Sequence, residues 1–397
     1  MKSPSSRPSD ITGMPVHDID TPSLVIDLDA MKRNLGRMAE FAKKHNIRWR
    51  PHAKLHKSVA LARMQIKAGA TGICVQKTAE AEIMVAGGVL DVYISNEVIA
   101  PAKLARVARL AQKLAAHEGG RLAIAVDSSE GVIRLAHAMT QARVSAVPGG
   151  TGTVIDVFVE IDVGQGRCGV EPGAAAVTLA LEIRKHPALR FAGLQAYHGN
   201  AQHLRSAQER RRAISGAVNA VVLTRELLQV QGIVAGLVTG AGTGSLVLEA
   251  ASGVYGELQA GSFMFMDADY ARNERDPAQP QFEHALFVKT QVMSTHSDHA
   301  VCDAGHKSHA IDSGLPLVHA FDTGSELEYF NGGDEHGILR PAAGRTRLPG
   351  LGQMLWLIPG HCDPTVNLHD VMIGVSGGLR NGTVERVIRV DARGAMT

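Results

Sequence analysis

Cysteine is scarce, with only Cys74, Cys168, Cys302 and Cys362 in 397 residues. Four cysteines do not build a disulfide scaffold in a chain this long, and the lack of any C-x-x-C excludes zinc ribbons and redox pairs. Aromatic side chains make up 4%, too few for the stacking platforms that hold single-stranded nucleic acids. Neither sign of charge dominates. Lys and Arg number 41 against 39 Asp and Glu, a balance of +2, so bulk charge would hold neither nucleic acid nor an anionic membrane. No run approaches the roughly 18 uninterrupted apolar residues of a membrane span. The start of the chain, Met1–Met14, is polar and rich in Ser and Pro, without the apolar core of a signal peptide. These absences lead us to expect a soluble cytoplasmic protein with a mobile tail over residues 1–16.

What is present is a core-forming composition: 45% hydrophobic, 20% charged and 42 glycines. At about 150 residues per domain, the length fits two to three domains, or one barrel plus a smaller module. Eight short apolar runs stand out between Asn46 and Phe265: Ile47–His52, Ala70–Gln76, Val92–Ser95, Leu122–Val126, Val157–Val163, Phe191–Tyr197, Ile233–Val238 and Tyr255–Gln259. Between them, Pro101–Ala116, Ala174–Lys185 and Ser206–Gln231 carry apolar residues at three- and four-residue steps, the period of an amphipathic helix. Strands alternating with helices give a parallel sheet. Eight such units predict an α/β protein with a (β/α)8 TIM-type barrel over residues 30–275, an open doubly wound sheet being the alternative. After Phe282 the texture changes to short strand-like runs separated by Gly, Asp and Asn: Ala285–Met293, Ala300–Asp303, Gln353–Ile358, Val371–Val375 and Val384–Val390. A mainly β domain over 276–397 is expected, joined by residues 17–29, which contain the strand-like run Ser23–Leu28.

A barrel gathers function at the C-terminal ends of its strands, and those ends are polar here. The first strand runs into RPHAKLHKS, where Lys54 sits between His52 and His56, with no acid beside it. A loop lysine is ordinarily solvated. At a strand end, an inward-pointing lysine has a depressed pKa, and its free amine attacks carbonyls. The seventh strand ends in TGAGTGS (Thr239–Ser245) and the eighth in Gly261-Ser262. No GK[ST] follows, so this is not a Walker loop. It reads either as an ordinary turn or as a cradle of backbone N–H groups for a phosphate, a site that such barrels favour after these two strands. A reactive lysine opposite a phosphate cradle points to pyridoxal phosphate. In the second domain, PGHCDPTVNLHD places His361 and Asp363 two apart. On extended backbone they share a face and suit Mn, Mg, Co or Zn, with Cys362 turned away. In a turn, His361 and Cys362 become the pair and zinc gains. Solvated residues of a Pro-terminated turn are the plain alternative.

Together RPHAKLHKS, GICVQKTAEAE, ISNEV, IDVGQGRCGV, FAGLQAYHG, TGAGTGS, ASGVYGELQAGS, FMDADY, DEHG and PGHCDPTVNLHD resemble the metal-activated D-threonine aldolases. These group with the 3-hydroxy-D-aspartate aldolases and, further away, the eukaryotic-type D-serine dehydratases. The resemblance runs from about Asp20 to Arg393 and implies the alanine-racemase (fold-type III) architecture, pyridoxal 5'-phosphate and a divalent cation, Mn2+ first and Mg2+, Co2+ or Zn2+ after it. It implies that Lys54 carries the cofactor as a Schiff base and that Arg167 faces the pyridine nitrogen. Tyr197 would contact the cofactor, and Gly242, Thr243, Gly261 and Ser262 would hold its phosphate. His203 would act as base, and His361 and Asp363 would bind the metal. The implied reaction is retro-aldol cleavage of a D-3-hydroxy amino acid to glycine and an aldehyde. Asp363 favours this over dehydration, because the dehydratase branch tends to carry Cys there. DSGLP (Asp312–Pro316) looks closer to the hydroxyaspartate branch and QAYHG to the threonine branch. A homodimer is implied as well. A non-catalytic carrier of the cofactor is disfavoured by the β domain. Relatives often read TGGGTG where this chain has TGAGTG, so a positive φ at Ala241 would cost about 1 kcal/mol or more.

Overall fold

The computed structural model describes residues 11–144, 153–319 and 326–397. Eight strands make one all-parallel sheet: β2 (Arg48–Trp49), β3 (Ile73–Val75), β4 (Asp91–Ile94), β5 (Arg121–Val126), β6 (Ile155–Glu160), β7 (Leu189–Ala196), β8 (Leu237–Gly240) and β9 (Glu257–Leu258), all following β1 (Ser23–Asp27) in the chain. Their order is β2-β9-β8-β7-β6-β5-β4-β3. A parallel bridge between His52 and Cys74 joins the first and last members of that order. The barrel expectation holds over the open sheet. The central strands are buried on both faces, which is why they read as continuous apolar runs rather than alternating ones.

The barrel strands are linked by α2 (Val59–Lys67), α3 (Thr78–Ala86), α4 (Pro101–Ala115), α5 (Ser129–Val144), α6 (Ala174–Arg184), α7 (Ala207–Val230) and α8 (Leu246–Ala251), with α1 (Leu28–Lys44) ahead of β2. Helix α4 shows why such segments fold. Pro101 occupies its first turn, and Leu104, Val107, Ala108, Ala111 and Leu114 form one buried face. Helix α1 starts where Asp27 Oδ1 accepts the N–H groups of Asp29 and Ala30, both at 3.0 Å.

The inside of the barrel is polar but paired. Buried Arg50 reaches Asp91 at 2.5 Å and Glu257 at 3.2 Å. Above them Tyr93 Oη donates to Gln195 Oε1 at 2.9 Å, and Gln259 Nε2 donates to Gln195 Oε1 and Thr239 Oγ1 at 2.7 and 2.8 Å. Each group lost to water regains a partner. The network forms a rigid floor beneath the strand ends.

The second sheet contains β1, β10 (Leu286–Thr295), β11 (Ala300–Cys302), β12 (Leu317–Val318), β13 (Leu327–Asn331), β14 (Gly337–Pro341), β15 (Met354–Ile358), β16 (Val371–Ser376) and β17 (Thr383–Arg389). Strand β1 lies between β10 and β16, antiparallel to the first and parallel to the second. Strands β12, β13 and β14 were not foreseen. They are short and half-exposed, and the last two are joined across a Gly- and Asp-rich turn that reads as loop. The tail expected over residues 1–16 needs correction in its second part. Gly13 donates to Val384 O at 2.8 Å, Val384 to Met14 O at 2.9 Å and Val16 to Gly382 O at 2.9 Å. Residues 1–10 lie outside the described residues. Among the described residues no helix is long and apolar enough to cross a membrane.

Strand β7 bulges where Val157 pairs with Phe191 and Phe158 with Gly193. Gly193 has φ +150°, and a Cβ there would lie 1.8 Å from Leu237 O. Substituting Gly193→Ala is therefore expected to separate β7 from β8 and to destabilise the fold by about 3 kcal/mol. Urea denaturation of the purified variant checks this, and an unchanged midpoint would contradict the close strand approach.

Candidate active site

Most of the residues expected at the strand ends meet in one cavity of about 370 Å³, lined by Lys54, Arg167, Tyr197, His203, Gly242, Thr243, Gly261, Ser262, His361 and Asp363 among others. All ten candidates from the sequence are on that wall, eight from the barrel and two from the second domain.

Lys54 is not on a strand. It sits in a single 3-10 turn, Ala53–Leu55, capped by His52, whose Nδ1 accepts the Lys54 N–H at 3.3 Å. The other ring nitrogen of His52 is 3.0 Å from Gln76 Oε1 and 3.2 Å from Ser95 Oγ. Burial, and then the Lys54 charge, push the His52 pKa down to about 3, so its ring is a neutral wall at physiological pH. The expected depression at Lys54 itself is overturned. Its Nζ donates to Asp363 Oδ2 at 2.6 Å, and that negative charge outweighs the lowering effect of burial and raises the lysine pKa. No acid precedes or follows Lys54 in the sequence; the carboxylate arrives from 309 positions away.

The backbone at His361 and Asp363, expected as either an extended segment or a turn, is an extended residue leading into a single helical turn. His361 is extended (φ −145°, ψ 123°) and caps the one-turn helix α10 (Cys362–Val366), reached after the short α9 (Ala268–Ala271). At this corner Cys362 turns into the core, with its Sγ 3.3 Å from Met266 O. His361 Nε2 and Asp363 Oδ1 then face one another at 4.0 Å. Buried Asp267 fixes the corner by accepting the Tyr270 N–H at 3.0 Å and the Cys362 N–H at 3.2 Å. Burial works to raise the Asp363 pKa, but Lys54 and then His361 outweigh it, and the carboxyl stays ionised.

Around the cavity, Asp162 accepts the N–H groups of Gly164, Gln165 and Gly166 at 2.9, 2.9 and 3.0 Å and folds the loop that carries Arg167. Arg167 lies 4.0 Å from Glu160, whose carboxyl is pushed well up by burial and by Glu97. Burial raises the Tyr197 phenol. Thr243 Oγ1 accepts the Phe263 N–H at 2.9 Å, which ties the two expected phosphate loops together. Ala241 has φ +70°, so this chain carries the backbone strain that glycine avoids. His203 Nδ1 is 2.6 Å from Asp269 Oδ2, and Arg205 holds the other oxygen of that carboxylate. Sequence reasoning missed Asp269, which lies in FMDADY, and Asp312, which lies in DSGLP 2.7 Å from His361 Nδ1. Both motifs were visible, but only the folded chain brings them to a histidine.

The alanine racemase N-terminal domain family matches residues 26–269, and a serine dehydratase domain family matches residues 285–375. A D-threonine aldolase of Arthrobacter sp is 43% identical over 98% of this chain and 96% of its own length. The chain belongs to the D-threonine and 3-hydroxy-D-aspartate aldolase family. A 3-hydroxy-D-aspartate aldolase of Paracoccus denitrificans is 41% identical over 97% of this chain and 95% of its own. The crystal structure of D-threonine aldolase from Filomicrobium marinum superposes with a TM-score of 0.89 at 45% identity, covering 97% of this chain and 99% of that one. Membership makes the chain a carbon–carbon lyase of the retro-aldol type, on the alanine-racemase architecture.

A buried neutral histidine next to the Lys54 turn generates a stability prediction. His56 is fully buried, with Nε2 3.2 Å from Gln65 Oε1 and Nδ1 accepting the Ser58 N–H at 3.0 Å. Burial pushes its pKa down to about 4. Between that value and the unfolded value near 6.5 the unfolded chain binds the extra proton, so stability rises with pH across the window and is lost as pH falls through it. Wild-type protein is expected to lose roughly 3 kcal/mol between pH 6.5 and 4 through this residue. Urea midpoints of wild type and His56→Gln across that range check it; equal slopes would contradict it.

Proposed function

We propose that this chain cleaves D-3-hydroxy amino acids of the D-threonine type to glycine and an aldehyde, with pyridoxal phosphate on Lys54 and a divalent cation on His361 and Asp363. The observation that carries the proposal is the meeting of Lys54, His203, His361 and Asp363 on one cavity wall.

The residues fit both groups. Asp363 Oδ1 is buried and has no hydrogen-bond partner among the described residues, and it faces His361 Nε2. Two lone pairs 4.0 Å apart suit one cation with ligand distances of about 2.0–2.2 Å. One imidazole and one carboxylate are borderline-hard donors, which favours Mn2+, with Mg2+, Co2+ and Zn2+ within the same chemistry. Lys54 offers an amine inside a cavity of ligand size, opposite the small-residue loops at Gly242-Thr243 and Gly261-Ser262.

Pyridoxal phosphate supplies a sink for the electron pair released when Cα–Cβ breaks, and the cation supplies positive charge beside the β-oxygen. The chain's own residues do the rest. Lys54 would anchor the cofactor through its amine. Arg167 would lie against the pyridine nitrogen, where its positive charge would disfavour protonation. Gly242, Thr243, Gly261 and Ser262 would hold the phosphate, and Tyr197 would contact the cofactor. His203 takes the β-hydroxyl proton at Nε2, because Asp269 occupies Nδ1. A weak ring sink makes positive charge at the β-oxygen more necessary, which fits a metal site in the same cavity.

Resemblance in DSGLP keeps 3-hydroxy-D-aspartate, with glyoxylate as product, as the second substrate reading. The free cysteines fit a reducing compartment, so we place the protein in the cytoplasm, as a homodimer.

The test is a panel of D-threonine, D-phenylserine and D-3-hydroxyaspartate with Mn2+, assayed for glycine and for ammonia. Glycine is expected, and it should vanish in excess chelator while the visible cofactor band remains. Ammonia without glycine would instead establish dehydration. Lys54→Ala is expected to lose the band and all activity. In a separate variant, His203→Ala should lower kcat by about 100-fold or more with the band intact; an unchanged rate would remove His203 as base.

A further inference from the structure

The loop 311–316 precedes β12 and has no part in the reaction outlined above, although its DSGLP motif stands out in the sequence. Its approach to the site is built into the backbone. A Cβ on Gly360, the residue before His361, would lie 2.0 Å from Gly314 O. Only glycine at 360 lets the two chain segments lie this close. Arg272 Nη1 donates to Ser313 O at 3.3 Å and holds the loop from the barrel side.

The close approach delivers one carboxylate to one ring nitrogen. Asp312 Oδ2 is 2.7 Å from His361 Nδ1, and Ser313 Oγ donates to the same oxygen at 3.1 Å. An ionised carboxylate only accepts, so the imidazole hydrogen is on Nδ1 and the lone pair is on Nε2. Nε2 faces Asp363 Oδ1 at 4.0 Å, while Asp363 Oδ2 is engaged by Lys54. In the opposite tautomer Nε2 would carry the hydrogen and offer a cation no lone pair.

We propose that Asp312 is a positioning residue for the cation site, holding His361 in the tautomer and orientation that present Nε2 toward Asp363. The inference rests on the reading of His361 and Asp363 as the protein ligands. A site with only two protein ligands has little affinity to spare, and a carboxylate behind a ligating imidazole both orients it and raises its basicity. Asp312 is 52% exposed, and a surface pair of this kind contributes little to folding. Its effect is therefore on metal binding and not on the fold.

The test is Mn2+ affinity of the purified protein, read from the free Mn2+ signal in electron paramagnetic resonance, with the Tm of the metal-free protein measured alongside. His361→Ala should abolish the site. Asp312→Ala should weaken Mn2+ binding by about 10- to 100-fold at unchanged Tm. Asp312→Asn should bind closer to wild type than to Asp312→Ala, because its amide oxygen still accepts from Nδ1–H. Wild-type affinity in Asp312→Ala, with binding lost in His361→Ala, would overturn this inference and leave the cation site standing. Wild-type affinity in His361→Ala would overturn both. An Asn variant as weak as the Ala variant would overturn the positioning role in favour of direct ligation by Asp312.

Discussion

The contact between Lys54 and Asp363 is the constraint on which the rest depends. One amine comes from the first strand end of the barrel, and one carboxylate from a helix start in the second domain. They meet at 2.6 Å across 309 positions of chain. Everything that holds either residue in place supports that meeting: the His52 cap under Lys54, the paired polar floor of the barrel, and Asp267 bracing the corner at Cys362. The two sheets are therefore not independent modules where the site is concerned. The barrel supplies Lys54 and the loops at Gly242-Thr243 and Gly261-Ser262, and the second domain supplies His361 and Asp363.

Charge is allocated around this contact with little cancellation. Burial keeps His52 neutral, burial and Glu97 push the Glu160 carboxyl up, and Lys54 and Arg167 are the lysine and arginine on the cavity wall. Asp363 and Asp269 stay ionised because each has a cation against it. The result is a cavity with a basic side and an acidic corner. The strain at Ala241 lies in the same wall, a local cost retained where the phosphate loop turns.

Much of this was legible in the sequence. Eight apolar runs placed the barrel strands, because strands buried on both faces leave continuous hydrophobic segments. They were less exact at β8, which begins four residues later than the run Ile233–Val238 and includes Thr239 and Gly240, polar or small residues that pack inside the barrel. Strands β12 to β14 were missed because short, half-exposed strands carry no clear periodic signal. The ten site residues came from strand ends and from a motif resemblance. Their local geometry did not. Lys54 was expected beside imidazoles with a lowered pKa, and the acid that reverses this lies far off in sequence. For His361 and Asp363 an extended segment and a turn were both open, and they are a helix cap and the second residue of its helix. Asp269 and Asp312 carry no local signal, since a carboxylate becomes a partner of histidine only when the fold brings it there.

The central claim is that an amine-anchored cofactor and a cation occupy one cavity, held by Lys54 on one side and by His361 and Asp363 on the other. The most direct measurement is a crystal structure of the protein grown with pyridoxal phosphate and Mn2+, with data collected at the manganese absorption edge. The account predicts continuous density from Lys54 Nζ into the cofactor and an anomalous peak between His361 Nε2 and Asp363 Oδ1. A peak elsewhere in the chain, or a Lys54 side chain with no density joined to it in a fully loaded crystal, would contradict it.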